Sequence, residues 1–256
     1  MSDSEQIIYF HGLPGSADEL LAFGPDIARR STGFRVIDRS GRHAAPSGTD
    51  YFARLAADLR RDVPDARLRL IGFSLGASAA LRTAAHLGDQ VSRIDLVSAA
   101  APLDLGTYLP DMAGAPVFRT ARDNSQMFHV LTRAQSLLAR FWPGQLHAML
   151  FATARGDDGP LASDPEFKAA LKSVLRQCLG PGRAGYLQEI SLYTQDWRAE
   201  LDRVTAPVWL FHGEEDNWSP VAMARDLAQR LPRCEALNLL PGGSHYSALK
   251  WYLSNL

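Results

Sequence analysis

The sequence is poor in cysteine, with two among 256 residues, Cys178 and Cys234. Two thiols cannot make a disulfide framework, and neither sits in a C-x-x-C pair, so both are expected buried and reduced. A charge excess is also missing. Lys and Arg number 27 against 28 Asp and Glu, for a net charge of −1, and basic pairs such as Arg29-Arg30 and Arg60-Arg61 fall at expected helix ends. This balance leaves no electrostatic footprint for nucleic acid or an anionic membrane. No apolar run approaches the length of a membrane span. The opening, Met1 to Gln6, is polar and acidic, without the charged and apolar regions of a secretory leader, so a cytoplasmic location is expected. There are no internal repeats and no low-complexity tract. What remains, 46% hydrophobic and 21% charged residues, is the composition of a globular protein long enough for one large α/β domain with an insertion.

Short apolar runs at 7–10, 34–38, 68–71, 91–97, 208–211 and around 236–240 read as strands, with helical patterns between them. Ser16 and Glu19 have the spacing of a capping box. A helix is expected from about Asp50 to Arg61, another from Ala77 to Leu87, another near 221–230, and a closing one from about Tyr246. Strand alternating with helix predicts a parallel sheet covered on both faces. The rhythm stops from Pro102 to about Asp196, where only helical patterns occur, among them the apolar stripe Val130, Ala134, Leu137 and Phe141. Residues 1–102 and 197–256 are therefore expected to form an α/β core, and residues 103–196 a helical cap.

Gly72-Phe73-Ser74-Leu75-Gly76 lies between the third strand and an Ala/Leu-rich helix. A sharp strand-to-helix turn lifts a serine hydroxyl clear of the backbone, which makes Ser74 a candidate nucleophile. A serine needs an imidazole to take its proton and an acid to orient that imidazole. Asp216 and His245 follow the next two strand ends, in the order Ser…Asp…His, at the sheet edge where open parallel sheets gather reactive groups. Donors for an oxyanion are expected from the backbone N–H of Leu75 and of Leu13, in the loop His11-Gly12-Leu13-Pro14-Gly15, since Pro14 has no N–H.

These motifs, His11-Gly12, the turn at Ser74, His212-Gly213-x-x-Asp216 and Gly243-x-His245, resemble the α/β-hydrolase superfamily over nearly the whole chain. The family has an eight-stranded sheet. This chain starts at the position of the third family strand, so the resemblance implies a sheet of about six strands, all parallel. It also implies a serine hydrolase acting on a small carboxylic ester through an acyl-enzyme, with no cofactor and a small-molecule acyl substrate as partner. Lactones, thioesters, amides, carbon–carbon bonds and perhydrolysis use the same triad, and a binding protein on the same fold is the reading from another class. Asp216 is at the family's acid position; Glu214, Glu215, Asp95 and Asp104 compete for the role. Where the family often has Asp-x-Pro-Gly-x-Gly, this chain has Asp38-Arg39-Ser40-Gly41-Arg42-His43, a departure that bears on the site entrance.

Other features receive plainer readings. His11 and His212 match no metal-ligand spacing and are expected to support turns, with no metal site. His43, His129 and His147 are expected at the surface or packed in the cap. Gly180-Pro181-Gly182-Arg183-Ala184-Gly185 fits G-x-G-x-x-G but follows a helix, so it is not a nucleotide loop. The cap aromatics Phe128, Phe141, Trp142 and Phe151 are expected to be cap core or to line an acyl pocket.

Overall fold

A computed structural model of the chain describes residues 5–39 and 51–256. Among them, strands β1 (Glu5–Phe10), β2 (Arg35–Val36), β3 (Arg67–Phe73), β4 (Val91–Val97), β5 (Val208–Gly213) and β6 (Cys234–Leu240) form one sheet in the order β2-β1-β3-β4-β5-β6. Every pairing is parallel. The central strands carry apolar runs because helices cover both faces: Leu70-Ile71-Gly72-Phe73 and Ile94-Asp95-Leu96-Val97 are wholly buried. The chain steps outward from β1 to β2, then returns past β1 to β3. This reversal opens a crevice at the C-terminal ends of β1 and β3.

Helices α1 (Pro25–Arg30), α2 (Tyr51–Asp62) and α3 (Leu75–Leu87) connect the first strands, α10 (Val221–Arg230) connects β5 to β6, and α11 (His245–Ser254) follows β6. α2 buries Tyr51, Phe52, Leu55, Ala56 and Leu59, one face of a helix. Between β4 and β5 lie α4 (Ala115–Asp123), α5 (Ser125–Phe141), α6 (Pro143–Leu150), α7 (Asp158–Ser163), α8 (Pro165–Leu179) and α9 (Arg183–Tyr193), with no strand. Among the described residues no helix is long and apolar enough to cross a membrane.

Four local expectations are corrected. The second strand is two residues long rather than five, because it lies at the sheet edge and pairs with β1 alone, through Ile8–Arg35 and Tyr9–Val36. Glu19 does not close a capping box on Ser16; its carboxylate turns inward to Tyr9 and Gly12. The stripe on α5 faces solvent: Phe128, Thr132 and Ala139 pack inward, while Val130, Leu137 and Phe141 stay more than half exposed, as does Trp142. Phe141 and Trp142 are therefore not cap core. Cys178 is buried, but Cys234 is only half-buried; both are free thiols. The departing loop residues Ser40 to His43, and Asp50, lie outside the described residues.

Candidate active site

Ser74 stands between the last residue of β3 and the first of α3, at φ 56° and ψ −126°. A non-glycine residue in that region is strained and held by its surroundings. Here the Ser74 N–H donates to Val97 O at 3.0 Å, and its carbonyl accepts from Ala77 and Ala100 N–H groups. Gly76 lets the turn close on β1, since a Cβ there would overlap the carbonyl oxygens of Phe10 and His11. That contact brings the first turn of α3, whose amides have no intrahelical acceptor, against the loop His11–Gly15. Leu13, Leu75 and Ser74 line one pocket.

Asp216 and His245 meet beyond the ends of β5 and β6. His245 Nδ1 lies 2.8 Å from Asp216 Oδ2, with the His245 ring and the Asp216 carboxylate both buried. Asp216 Oδ1 accepts the N–H groups of Trp218 and Ser219, at 2.8 and 2.9 Å. Burial alone would push the Asp216 pKa up; the charge and hydrogen bond of His245, with His212 and the Ser219 amide, outweigh it and hold the group below its ordinary value. The competing acids point elsewhere. Glu214, Glu215 and Asp104 are exposed, and Asp95 is buried in an ion pair with Arg69 and Arg93.

The His245 ring packs 4.9 Å from that of Phe73, the residue before Ser74, and stacks on Trp218 at 5.7 Å. Ser74 Oγ makes no hydrogen bond among the described residues, to His245 or otherwise; catalytic hydrogen bonds are often long before substrate binds. The backbone of His245 is held by Ser98, itself at φ 49°, whose hydroxyl donates to His245 O at 2.9 Å.

His212 and His11 are buried, and burial lowers the pKa of both, that of His11 to about 3. His212 Nε2 donates to Ser219 O at 2.7 Å, and His11 Nδ1 to Gly12 O at 2.7 Å, so each supports a turn. Among the described residues no group of three His, Cys, Asp or Glu could hold a metal ion.

The loop His11–Gly15 is fastened from two sides. Glu19 accepts the Gly12 N–H at 3.0 Å and the Tyr9 hydroxyl at 2.7 Å. Burial pushes the Glu19 pKa up to about 7 against the pull of those bonds. Arg39 donates to His11 O at 2.7 Å while its Nε pairs with Glu189 of α9 at 2.8 Å, and Tyr51 donates to the same carboxylate. Arg39, Glu189 and Ser98 have no signature in the sequence, because their partners are far along the chain or are backbone groups, and the spacing of Glu19 with Ser16 pointed to a capping box rather than to this loop.

The pocket over Ser74 has a volume of about 240 Å³. Its walls are Leu13, Met112, Val117, Phe118, Leu150, Ile190 and Trp218, with Gln135, Thr153, Tyr186 and Ser219 as polar points and no charged side chain among the described residues. The expected aromatics are not in it. Phe128 is buried cap packing, Phe151 packs on Phe167 and Tyr246, and Phe118, Tyr186 and Trp218 take the lining positions.

Residues 3–248 match the family model described as serine aminopeptidase, S33. The chain is 32% identical over 178 residues to a pimeloyl-[acyl-carrier protein] methyl ester esterase of Aromatoleum aromaticum, across 67% of this chain and 64% of that protein. It is 28% identical over 260 residues to a non-heme chloroperoxidase of Burkholderia pyrrocinia, across 95% and 86% of the two chains. Among solved structures, a bromoperoxidase from Bacillus anthracis superposes with a TM-score of 0.65 at 17% identity, covering 98% of this chain and 90% of that one. The enol-lactonase of Burkholderia xenovorans LB400 gives 0.61 at 20% identity, covering 99% and 91%. At such identities the structural likeness speaks for the fold.

Proposed function

The chain belongs to the serine aminopeptidase S33 family of α/β-hydrolases, and on that footing we propose that it is a serine hydrolase cleaving small, uncharged carboxylic esters through an acyl-enzyme. The observation that carries the reading is the buried Asp216–His245 contact at 2.8 Å, beside a strained Ser74 at the floor of an uncharged pocket. Ser74 Oγ attacks the ester carbonyl carbon as His245 Nε2 takes its proton. The N–H groups of Leu13 and Leu75 receive the oxyanion, and Asp216 holds the imidazole tautomer and offsets its charge. His245 then protonates the leaving alcohol, leaving an ester on Ser74. Water, giving a proton to His245, attacks that ester; His245 returns the proton to Ser74 Oγ as the acyl C–O bond breaks and the acid leaves.

Pocket chemistry supports esters over the family's titular substrate. A peptide N-terminus is an ammonium, whose burial without a carboxylate partner is costly, and the lining offers none. The esterase relatives point the same way. A volume of 240 Å³ holds roughly eight water-sized groups, which suits a short or medium acyl chain. We assign the hydrolase core to residues 1–102 and 197–256 and the cap to 103–196, a division supported by the helices between β4 and β5. Two unpaired thiols support a reducing, cytoplasmic setting.

A fluorophosphonate probe should label the wild type at Ser74 and not Ser74→Ala, with hydrolysis of p-nitrophenyl esters peaking at short or medium chain length. Labelling of Ser74→Ala at the wild-type level would refute the assignment.

A further inference from the structure

Asp158 is the first residue of α7, in the helical region between β4 and β5, and its side chain is fully buried. No Lys or Arg among the described residues pairs with it. Its carboxylate instead faces the start of α11, the helix whose first residue is His245. Oδ2 accepts the Tyr246 N–H at 3.1 Å; Oδ1 accepts the Ser247 N–H at 2.7 Å and the Ser247 hydroxyl at 2.7 Å. The Ser247 Oγ in turn accepts the Ser244 N–H at 2.8 Å. The amides directly before and after His245 are thus tied, one through Ser247 and one directly, to a single carboxylate 88 residues away.

A helix N-terminus leaves its first amides without intrahelical acceptors and favours negative charge. Such a cap usually comes from the residue just before the helix. Here Ser244 shares a capping box with Ser247, and the acid is delivered from a different part of the fold. Neighbouring contacts fix how it is delivered. Gly156, at φ 49°, lies so close to the turn before His245 that a Cβ would overlap Gly242 O, and the Asp157 N–H donates to the same oxygen at 2.9 Å. Segment 156–158 is thereby clipped to the loop that carries the histidine.

We propose that Asp158 is a positioning residue for His245: the helical region sets the place and tilt of the imidazole through the first amides of α11, so that Nε2 is presented to Ser74. The inference rests on the triad reading above and adds to it a cap residue that touches no substrate. Asp158 does not line the pocket over Ser74. Its loss should therefore slow chemistry and leave binding alone, whereas an anchor that only holds the fold together would lower stability and leave the turnover of the folded enzyme unchanged.

The test is Asp158→Asn, which keeps the shape and removes one acceptor oxygen and the charge. It is measured as kcat and KM on the best p-nitrophenyl ester, as the rate of fluorophosphonate labelling at Ser74, and as Tm. The expected result is a fall of about tenfold in kcat and in labelling rate, the scale of a small misplacement of a catalytic group, with KM within about twofold. If Asp158→Asn does not fold, Ser247→Ala removes one of the three bonds to Asp158, together with the bond from the Ser244 N–H, while leaving the carboxylate in place, and is expected to slow labelling about threefold. Wild-type labelling rates in whichever variant folds, with only Tm reduced, would overturn the proposal. Failure of the wild type itself to label at Ser74 would instead overturn the triad reading, so the two failures are distinct.

Discussion

Glu19 is a carboxylate placed where water cannot reach it, accepting hydrogen bonds from Tyr9 and Gly12. Its pKa of about 7 in the folded chain, against an ordinary 4.5, has a definite sign. The folded chain keeps a proton that the unfolded chain releases, so the contribution of Glu19 to stability is complete below about pH 4.5 and is lost as pH rises through 7. The shift corresponds to on the order of 3 kcal/mol. Glu19→Gln, which cannot titrate, should flatten this part of the stability profile between pH 4.5 and 7.5, read from urea midpoints across a pH series. An unchanged slope would show that other groups produce it.

At the scale of elements, the decisive contact is between α3 and the end of β1. The bare Gly76 backbone touches the carbonyls of Phe10 and His11, so the helix bearing Leu75 and the loop bearing Leu13 share one fixed spacing. Gly76→Ala should cost about 3 kcal/mol by overpacking and slow labelling of Ser74 by widening that spacing. Gly144→Ala, where a Cβ meets nothing within 4 Å, should leave the urea midpoint unchanged or slightly raised. Equal effects of the two substitutions would argue against a tight α3–β1 contact. Elements of this kind were legible in the sequence where one residue type has few other uses: Gly72-Phe73-Ser74-Leu75-Gly76 between a strand and a helix, or the apolar runs of β3 and β4. The α5 stripe was legible as helix but not as surface, since periodicity shows that Val130, Leu137 and Phe141 share a face without showing which way it points. The pocket walls Phe118 and Trp218 were equally hidden, because position in a cavity depends on the packing of elements and not on local spacing.

Across the whole molecule, buried charges join the helical region to the sheet. Arg39 and Glu189 are both buried and lie 150 residues apart. A buried pair adds little net stability over apolar substitutes, but breaking one side leaves a charge uncompensated at a cost of about 3–5 kcal/mol. Glu189→Gln should accordingly lower the urea-derived stability by that order. The double change Arg39→Met with Glu189→Leu should recover part of it, less the bonds from Arg39 to His11 O and from Tyr51 to Glu189 that it also removes, and a double variant no more stable than the single one would argue against the ion pair as what joins the two parts. No reading of the sequence finds the Arg39–Glu189 pair or the contacts of Asp158, because any of the 27 basic and 28 acidic residues can pair, any acid can cap a helix, and only the completed fold selects.

The contacts that complete the site span 88, 147 and 150 residues, for Asp158–Tyr246, Ser98–His245 and Arg39–Glu189. At equilibrium such distances matter little, since each doubling of a closed loop costs only about 0.6 kcal/mol. In time they matter a great deal, because contacts between remote residues form late and slow the search. On the triad reading, the early strands and helices can therefore form well before Ser74 is competent: until α11 docks, Asp216 lacks His245 and Asp158 lacks the Tyr246 and Ser247 amides. On that reading, activity is expected only once α11 has docked.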